Sequence, residues 1–250
     1  MKRNKITGSF LILLMLAAVF LNAQNAETLL KNMDDLMSAP KDKQAIVEIT
    51  VTKKSDKEKI REAIMLQKGK DKKLYRYTKP ENQAGIATLS LPDDITWLYM
   101  PAFGKPKKIS LLAKSQSFTG TDFSYEDMDS RSYSERYTPA LIMSDDEEVF
   151  KLELTPKADK TEYSKIVLYL NKKHFYPEKM EYYNNHGDHF KTATYKYSRL
   201  NNYWYAEEVL MADHKQDRST LIIMKDVKFD QGLTDDEFTV EKLKPEEPEK

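Results

Sequence analysis

Apolar and polar positions alternate along most of this chain. Ala45, Val47, Ile49 and Val51 share one face of a first run, with Glu48, Thr50 and Thr52 on the other. Ile60 to Gln67 alternates again and places Ile60, Ile64 and Leu66 together. A tight turn at Gly69-Lys70-Asp71 leads back into Lys73 to Lys79. Period-two runs bounded by charged or glycine-marked turns predict antiparallel hairpins. Ile86 to Leu91, Ile95 to Met100 and Lys107 to Leu111 read as further short strands, punctuated by Pro92-Asp93-Asp94 and by Pro101 to Pro106. Strand patterns resume over Tyr133 to Met143, Glu148 to Thr155, Tyr163 to Asn171, Tyr176 to Tyr183, His189 to Tyr197, Tyr203 to Ala212 and Arg218 to Phe229. We take these as about eleven or twelve antiparallel strands.

Two stretches break the alternation. Ala26 to Ser38 carries Leu29, Leu30, Met33, Leu36 and Met37 at helical spacing and stops before Pro40, so it predicts one amphipathic helix. The middle, from Leu111 to about Ser130, is irregular and reads as a helical insertion. Several strands are apolar on both faces. In Tyr163 to Leu170, Ile166, Leu168 and Leu170 share one face while Tyr163, Val167 and Tyr169 share the other. A sheet with one solvated side would not need that; a sheet curled around helices or a ligand would. No repeat or linker divides the chain, so residues 24–240 read as a single domain. Residues 241–250, charged and with two prolines, read as a tail that frays.

The start of the chain reads as an export signal. Lys2, Arg3 and Lys5 precede an apolar run from Phe10 to Leu21, and Leu21-Asn22-Ala23 offers a cleavage site. The run is about 12 residues, short of the roughly 20 that span a bilayer. Residues 1–23 are therefore expected to be removed, and the protein to reach the periplasm. The chain has no cysteine, which leaves no site for a lipid anchor. Loss of residues 1–23 turns a charge balance of 40 basic against 40 acidic into a net charge of about −3. That argues against nucleic acid or an anionic membrane surface as the main partner, since both call for a basic face.

Candidate chemistry is sparse. Ser117 to Ser130 gathers Asp122, Glu126, Asp127 and Asp129 around Gly120. Phe123 and Tyr125 interrupt any alternation of oxygen ligands, so the spacing fits no calcium loop. Ser124-x-x-Asp127 instead resembles a capping box at a helix start. His186 and His189 flank a turn and lack the glutamate of a zinc-protease helix. There is no G-x-S-x-G elbow, no cysteine nucleophile and no glycine-rich phosphate cradle. The expectation is a protein that is not an enzyme and uses no cofactor or metal. Nine tyrosines between Tyr163 and Tyr205, with Trp204 among them, suit either strand preference or the wall of a pocket.

Taken together, the chain resembles the LolA-like outer-membrane lipoprotein-sorting proteins. The resemblance runs from the amphipathic helix through the step Pro80 to Gly85, then Trp97-Leu98-Tyr99-Met100-Pro101 with Lys105, Lys107 and Lys108 after it. Its sharpest piece is Gly120-Thr121-Asp122-Phe123-Ser124-Tyr125-Glu126-Asp127-Met128. The resemblance implies a mainly β fold with helices: a curved antiparallel sheet, an incomplete barrel, whose concave side is covered by helices. It implies an apolar cavity that holds lipoprotein acyl chains or another lipid, and envelope membrane proteins that load and unload the carrier. The alternative it leaves is an envelope protein-interaction or sensory module without lipid cargo. From alternation and position, Ile64, Leu66, Trp97, Tyr99, Leu112, Phe118, Phe150 and Leu152 are the residues expected to face the cavity.

Overall fold

The structure is a computed structural model that describes residues 25–54, 56–110, 113–129 and 131–244. The expected signal peptide, Leu112 and residues 245–250 lie outside the described residues. Among the described residues no helix is long and apolar enough to cross a membrane.

After helix α1 (25–37), the chain runs through β1 (Asp42–Lys53), β2 (Lys59–Lys68), β3 (Lys72–Lys79), β4 (Ala87–Leu91), β5 (Ile95–Tyr99) and β6 (Lys107–Lys108). An irregular segment and a short helix α2 (Tyr133–Arg136) follow. The second half holds β7 (Tyr137–Ile142), β8 (Val149–Pro156), β9 (Tyr163–Asn171), β10 (Pro177–Asn184), β11 (His189–Leu200), β12 (Tyr203–Asp213) and β13 (Arg218–Phe229). All thirteen join one sheet in the order β6-β5-β4-β3-β2-β1-β13-β12-β11-β10-β9-β8-β7. Every expected strand segment carries a strand, so the described residues hold thirteen strands where eleven or twelve are expected. Two meanders meet where β1 pairs with β13, antiparallel like every other pair. The sheet does not close: β6 and β7, consecutive in the chain, occupy opposite edges.

Register sorts the side chains into two faces, because a strand's side chains alternate. On one face Met65 stands between Ala45 of β1 and Tyr75 of β3. Ile222 stands between Ile49 and Val209. The same face continues through Ala193, Met180, Leu168 and Leu152. Leu29, Leu30 and Met33 of α1 and Phe118, Phe123 and Tyr125 of the irregular segment complete this main core. We call this the inner face. A second, smaller core occupies the other face of β2–β5, where Leu66, Leu74, Leu89 and Trp97 lie in one row across four strands. Phe238 and Leu243 cover it.

That second core corrects the reading of the C-terminus. The Asp42 carboxylate accepts the backbone N–H groups of Gln231, Gly232 and Leu233 at 2.7–3.0 Å, which turns the chain back over the sheet. Two single turns follow, Asp235–Phe238 and Glu241–Leu243. Leu243 is fully buried, so the packed domain runs past residue 240, and the fraying expected from residue 241 does not begin there. The helical insertion is also smaller than expected. Tyr125 to Met128 forms turns only, and the start of the expected strand at Tyr133 is helical through Arg136.

Leu243→Ala should lower unfolding free energy by about 2–5 kcal/mol, the usual cost of a buried leucine cavity. Met143→Ala, at a side chain 98% exposed, should stay within about 0.5 kcal/mol. Urea denaturation of both variants checks the pair.

Candidate ligand cavity

The segment from residue 109 to α2 has to travel from the β6 edge to the β7 edge, and it does so across the inner face. Its path is held by polar contacts. Thr119 and Gly120 both have positive φ, +48° and +81°, and reverse the chain there. At that bend Arg61 of β2 donates to the Thr119 carbonyl, and the Tyr77 and Thr119 hydroxyls bond each other. Asp122, fully buried, accepts from the Arg218 Nε at 2.5 Å and from the Thr220 hydroxyl at 2.6 Å, both on β13. Ser124 and Asp127 form the reciprocal box their spacing suggested: the Ser124 N–H donates to Asp127 at 2.7 Å and the Asp127 N–H to Ser124 Oγ at 3.1 Å. A turn follows it, not a helix. Tyr163 of β9 also donates to Asp127, at 2.8 Å. Glu126 accepts from Thr161 at 2.8 Å, and burial raises its pKa above the ordinary carboxylate value. Asp129 is bound by Arg131 and faces Lys114. Burial works against its charge, and Arg136, Arg131 and Lys114 overcome that to hold its pKa below the ordinary value. The acidic stretch thus works as a set of staples that tie an irregular cover to the sheet.

Beside these staples the cover leaves a cavity of about 390 Å³. Met37 and Asp34 of α1 border it on one side, and Phe123, Met128, Tyr133 and Arg136 border it on another. Its floor is the inner face of the sheet: Lys43, Met65, Gln67, Lys73 and Tyr75 from β1–β3, and Tyr195, Tyr197, Trp204, Ala206, Val209, Ile222 and Met224 from β11–β13. Tyr197 stacks on Tyr176 at 4.3 Å, with Trp204 at 5.3 Å from the same ring. Burial lifts the phenol pKa values of Tyr195 and Tyr197 well above normal, so both stay neutral donors.

The carboxylates on this wall have partners. Asp34 accepts the Tyr133 and Ser134 N–H groups at 2.8 Å each, which is what starts α2. Asp35 pairs with Lys31 at 3.0 Å and Glu135 with Lys70 at 2.6 Å. Lys43 and Lys73 differ: among the described residues neither has a carboxylate in ion-pair reach. Both keep some accessible surface, and both line the cavity. Desolvation, then the positive charge of Lys73, lowers the Lys43 pKa to about 7. Desolvation brings Lys73 to about 8, with Asp129 opposing it and Arg136 adding to it.

The eight residues expected to face a cavity do not converge. Leu66, Trp97 and Tyr99 belong to the second core on the far face. Ile64, on that face too, is 38% exposed. Phe118 and Leu152 are buried in the main core and Phe150 packs against it. Leu112 lies outside the described residues. None of the seven described residues lines the 390 Å³ cavity. The tyrosine-rich stretch, which suits either strand preference or a pocket wall, contributes Tyr195, Tyr197, Trp204 and Tyr205 to it; Lys43, Met65, Lys73, Ile222 and Met224 carry no such signal. His186 sits in the expected turn, its N–H held by Asn184. His189 and His214 share the Thr192 hydroxyl, at 2.9 and 2.8 Å.

Comparison with solved structures decides the family. A domain from Vibrio parahaemolyticus, described as an outer membrane lipoprotein-sorting protein domain, is 30% identical and superposes with a TM-score of 0.83; the match covers 90% of this chain and 100% of that one. This chain belongs to the LolA-like outer-membrane lipoprotein-sorting family. A LolA superfamily protein from Nitrosomonas europaea is 25% identical, with a TM-score of 0.72 and coverage of 86% of this chain and 97% of that one. A DUF1329 family protein from Desulfovibrio piger shares the fold at 22% identity and a TM-score of 0.83, over 89% of this chain and 99% of that one. A family model described as "Uncharacterized protein" matches residues 69–245. Comparison with curated proteins finds no match. The LolA-like fold is a carrier and binding fold and does not define an enzyme family, and the open thirteen-stranded sheet agrees with it.

Two outcomes follow from these contacts. Asp122→Ala should cost about 2–4 kcal/mol in chemical denaturation, somewhat under the figure for a wholly buried pair, because Arg218 keeps 21% exposure. The lysines set a pH dependence. Their folded pKa values lie below the unfolded value of about 10.4, so between about pH 7 and 10 the unfolded chain holds more protons and stability rises with pH. Lys43→Met should therefore stabilise the ligand-free protein most below pH 7. That advantage should shrink toward pH 10, as followed by denaturation at several pH values.

Proposed function

We propose that this protein is a soluble periplasmic carrier that shields acyl chains, of lipoproteins or of another lipid, during sorting to the outer membrane. The observation that carries this reading is the cavity between sheet and cover, lined by methionines, tyrosines, Trp204, Val209 and Ile222. Its volume falls in the range of ligand sites, about 300–1,000 Å³. Burying a methylene is worth about 0.8 kcal/mol, so roughly ten of them supply about 8 kcal/mol, a micromolar hold. That is strong enough to keep a chain out of water and weak enough to release it. Methionine and tyrosine suit such a wall, since one adapts its shape and the other adds a polar tip. The export signal read over residues 1–23 puts the protein in the periplasm. Helix α1 and the crossing segment form the cover, and their movement admits and releases the cargo. Envelope membrane proteins would load and unload it. The work is capture, shielding and release, with no chemical step.

Mass spectrometry of organic extracts from protein purified gently from its own periplasm tests this. Stoichiometric lipid or acylated peptide is the expected result. A clean extract, with no uptake of added acylated peptide, would instead favour a protein-interaction module. A filling substitution, Ala206→Trp, should cut acyl-chain uptake at least about tenfold while the protein remains folded by circular dichroism.

A further inference from the structure

The cavity wall mixes apolar with charged side chains, and on it Lys43 and Lys73, unlike Lys31 and Lys70, have no carboxylate in ion-pair reach among the described residues. Lys43 stands opposite Gln67, and Gln67 opposite Lys73, in one row across β1, β2 and β3 on the inner face. Two strand spacings separate their backbones, about 10 Å, and flexible lysine stems can turn toward one group set between them. The cover opposite presents Arg136, 8% exposed, whose Nε has no hydrogen-bond acceptor among the described residues. Among the nearby acids Asp129 favours the charged form of Lys73 from a distance, but each acid is held by another partner. Asp34 is held by the N–H groups of α2, Asp35 by Lys31, Glu135 by Lys70, and Asp129 by Arg131 and Lys114. Asp127 is held by Ser124 and Tyr163. Uncompensated cations in a desolvated wall cost stability, and a perturbed, unpaired group facing a cavity marks a binding function.

We propose that the cavity takes an acyl chain ending in an anionic headgroup, carboxylate or phosphate, and that Lys43 and Lys73 bind that headgroup. The proposal rests on the carrier reading and narrows it. Methionine, tyrosine and aliphatic side chains hold the tail, and the lysines supply charge-assisted hydrogen bonds that only an anion can accept. The bound anion would bring both ammonium groups back toward their ordinary protonation, so binding takes up protons near neutral pH.

The test is equilibrium binding of palmitate, lysophosphatidate, methyl palmitate and inorganic phosphate to the purified full-length exported protein. At pH 6.5 palmitate or lysophosphatidate should bind at least about tenfold more tightly than the ester, and phosphate alone should not compete. The tighter of the two acids assigns the headgroup as carboxylate or phosphate. The Lys43→Met, Lys73→Met double variant should bind the acids no better than the ester. A second arm needs no variant: raising the pH to 9.5 should shrink the preference of the wild-type protein for acid over ester. Equal binding of acid and ester, or a preference that ignores both the variant and pH, overturns the anionic headgroup and leaves the carrier standing. No binding of any acyl probe overturns the carrier itself.

Discussion

The chain must pass from β6 to β7, and these two strands lie at opposite edges of a thirteen-stranded sheet. At a spacing of about 4.8 Å per strand, that distance is about 58 Å along a flattened sheet. One route leaves the inner face bare; the other lays the connection over it. The inner face is rich in Met, Ile, Leu, Val and Tyr side chains, and leaving it in water would forfeit their burial. Helix α1 is only about 20 Å long and cannot cover that face alone. The crossing segment therefore becomes part of the core, and most of what distinguishes this protein follows from it.

A cover without regular secondary structure brings its own difficulty. Its backbone N–H and C=O groups are taken from water without a ladder to receive them. The acidic stretch answers this. Asp127 closes the turn at Ser124 and Asp122 fastens the bend to Arg218 and Thr220, while Asp34 of α1 caps α2 from outside the stretch. A run of carboxylates that invites a metal or catalytic reading thus has a mechanical use. An irregular cover held at discrete points also packs less continuously than a helix would. The cavity lies beside those points, between the part of the cover that is pinned and the part of the sheet it spans.

The cavity wall carries a tension between stability and use. Methionine or leucine at positions 43 and 73 would make the ligand-free protein more stable, since each lysine pays desolvation without an ion pair. Such sites tend to be kept where binding needs them, at the expense of the empty state. The far face shows the contrasting solution. There Leu66, Leu74, Leu89 and Trp97 are covered by Phe238 and Leu243.

Much of the architecture was legible in the sequence because alternation is a local property. The amphipathic helix, the strand segments and the turns at Gly69 and Asn184 to Asp188 all follow from neighbours a few residues apart, and the family signature at Gly120 to Met128 is equally local. What alternation cannot say is which face turns inward when both are apolar. In β2 the larger side chains Ile60, Ile64 and Leu66 lie opposite the buried pair Ala63 and Met65, and the choice is made by pairing with β1 and β3. Alternation likewise points Trp97 at a cavity, yet a segment more than 130 residues later in the chain packs over it. Local pattern is enough for the strand segments, the amphipathic helix and the Ser124–Asp127 box. Only the tertiary structure decided which side of the sheet is covered by the crossing, and thus which tyrosines and lysines share a cavity, because that depends on contacts between residues far apart in the chain.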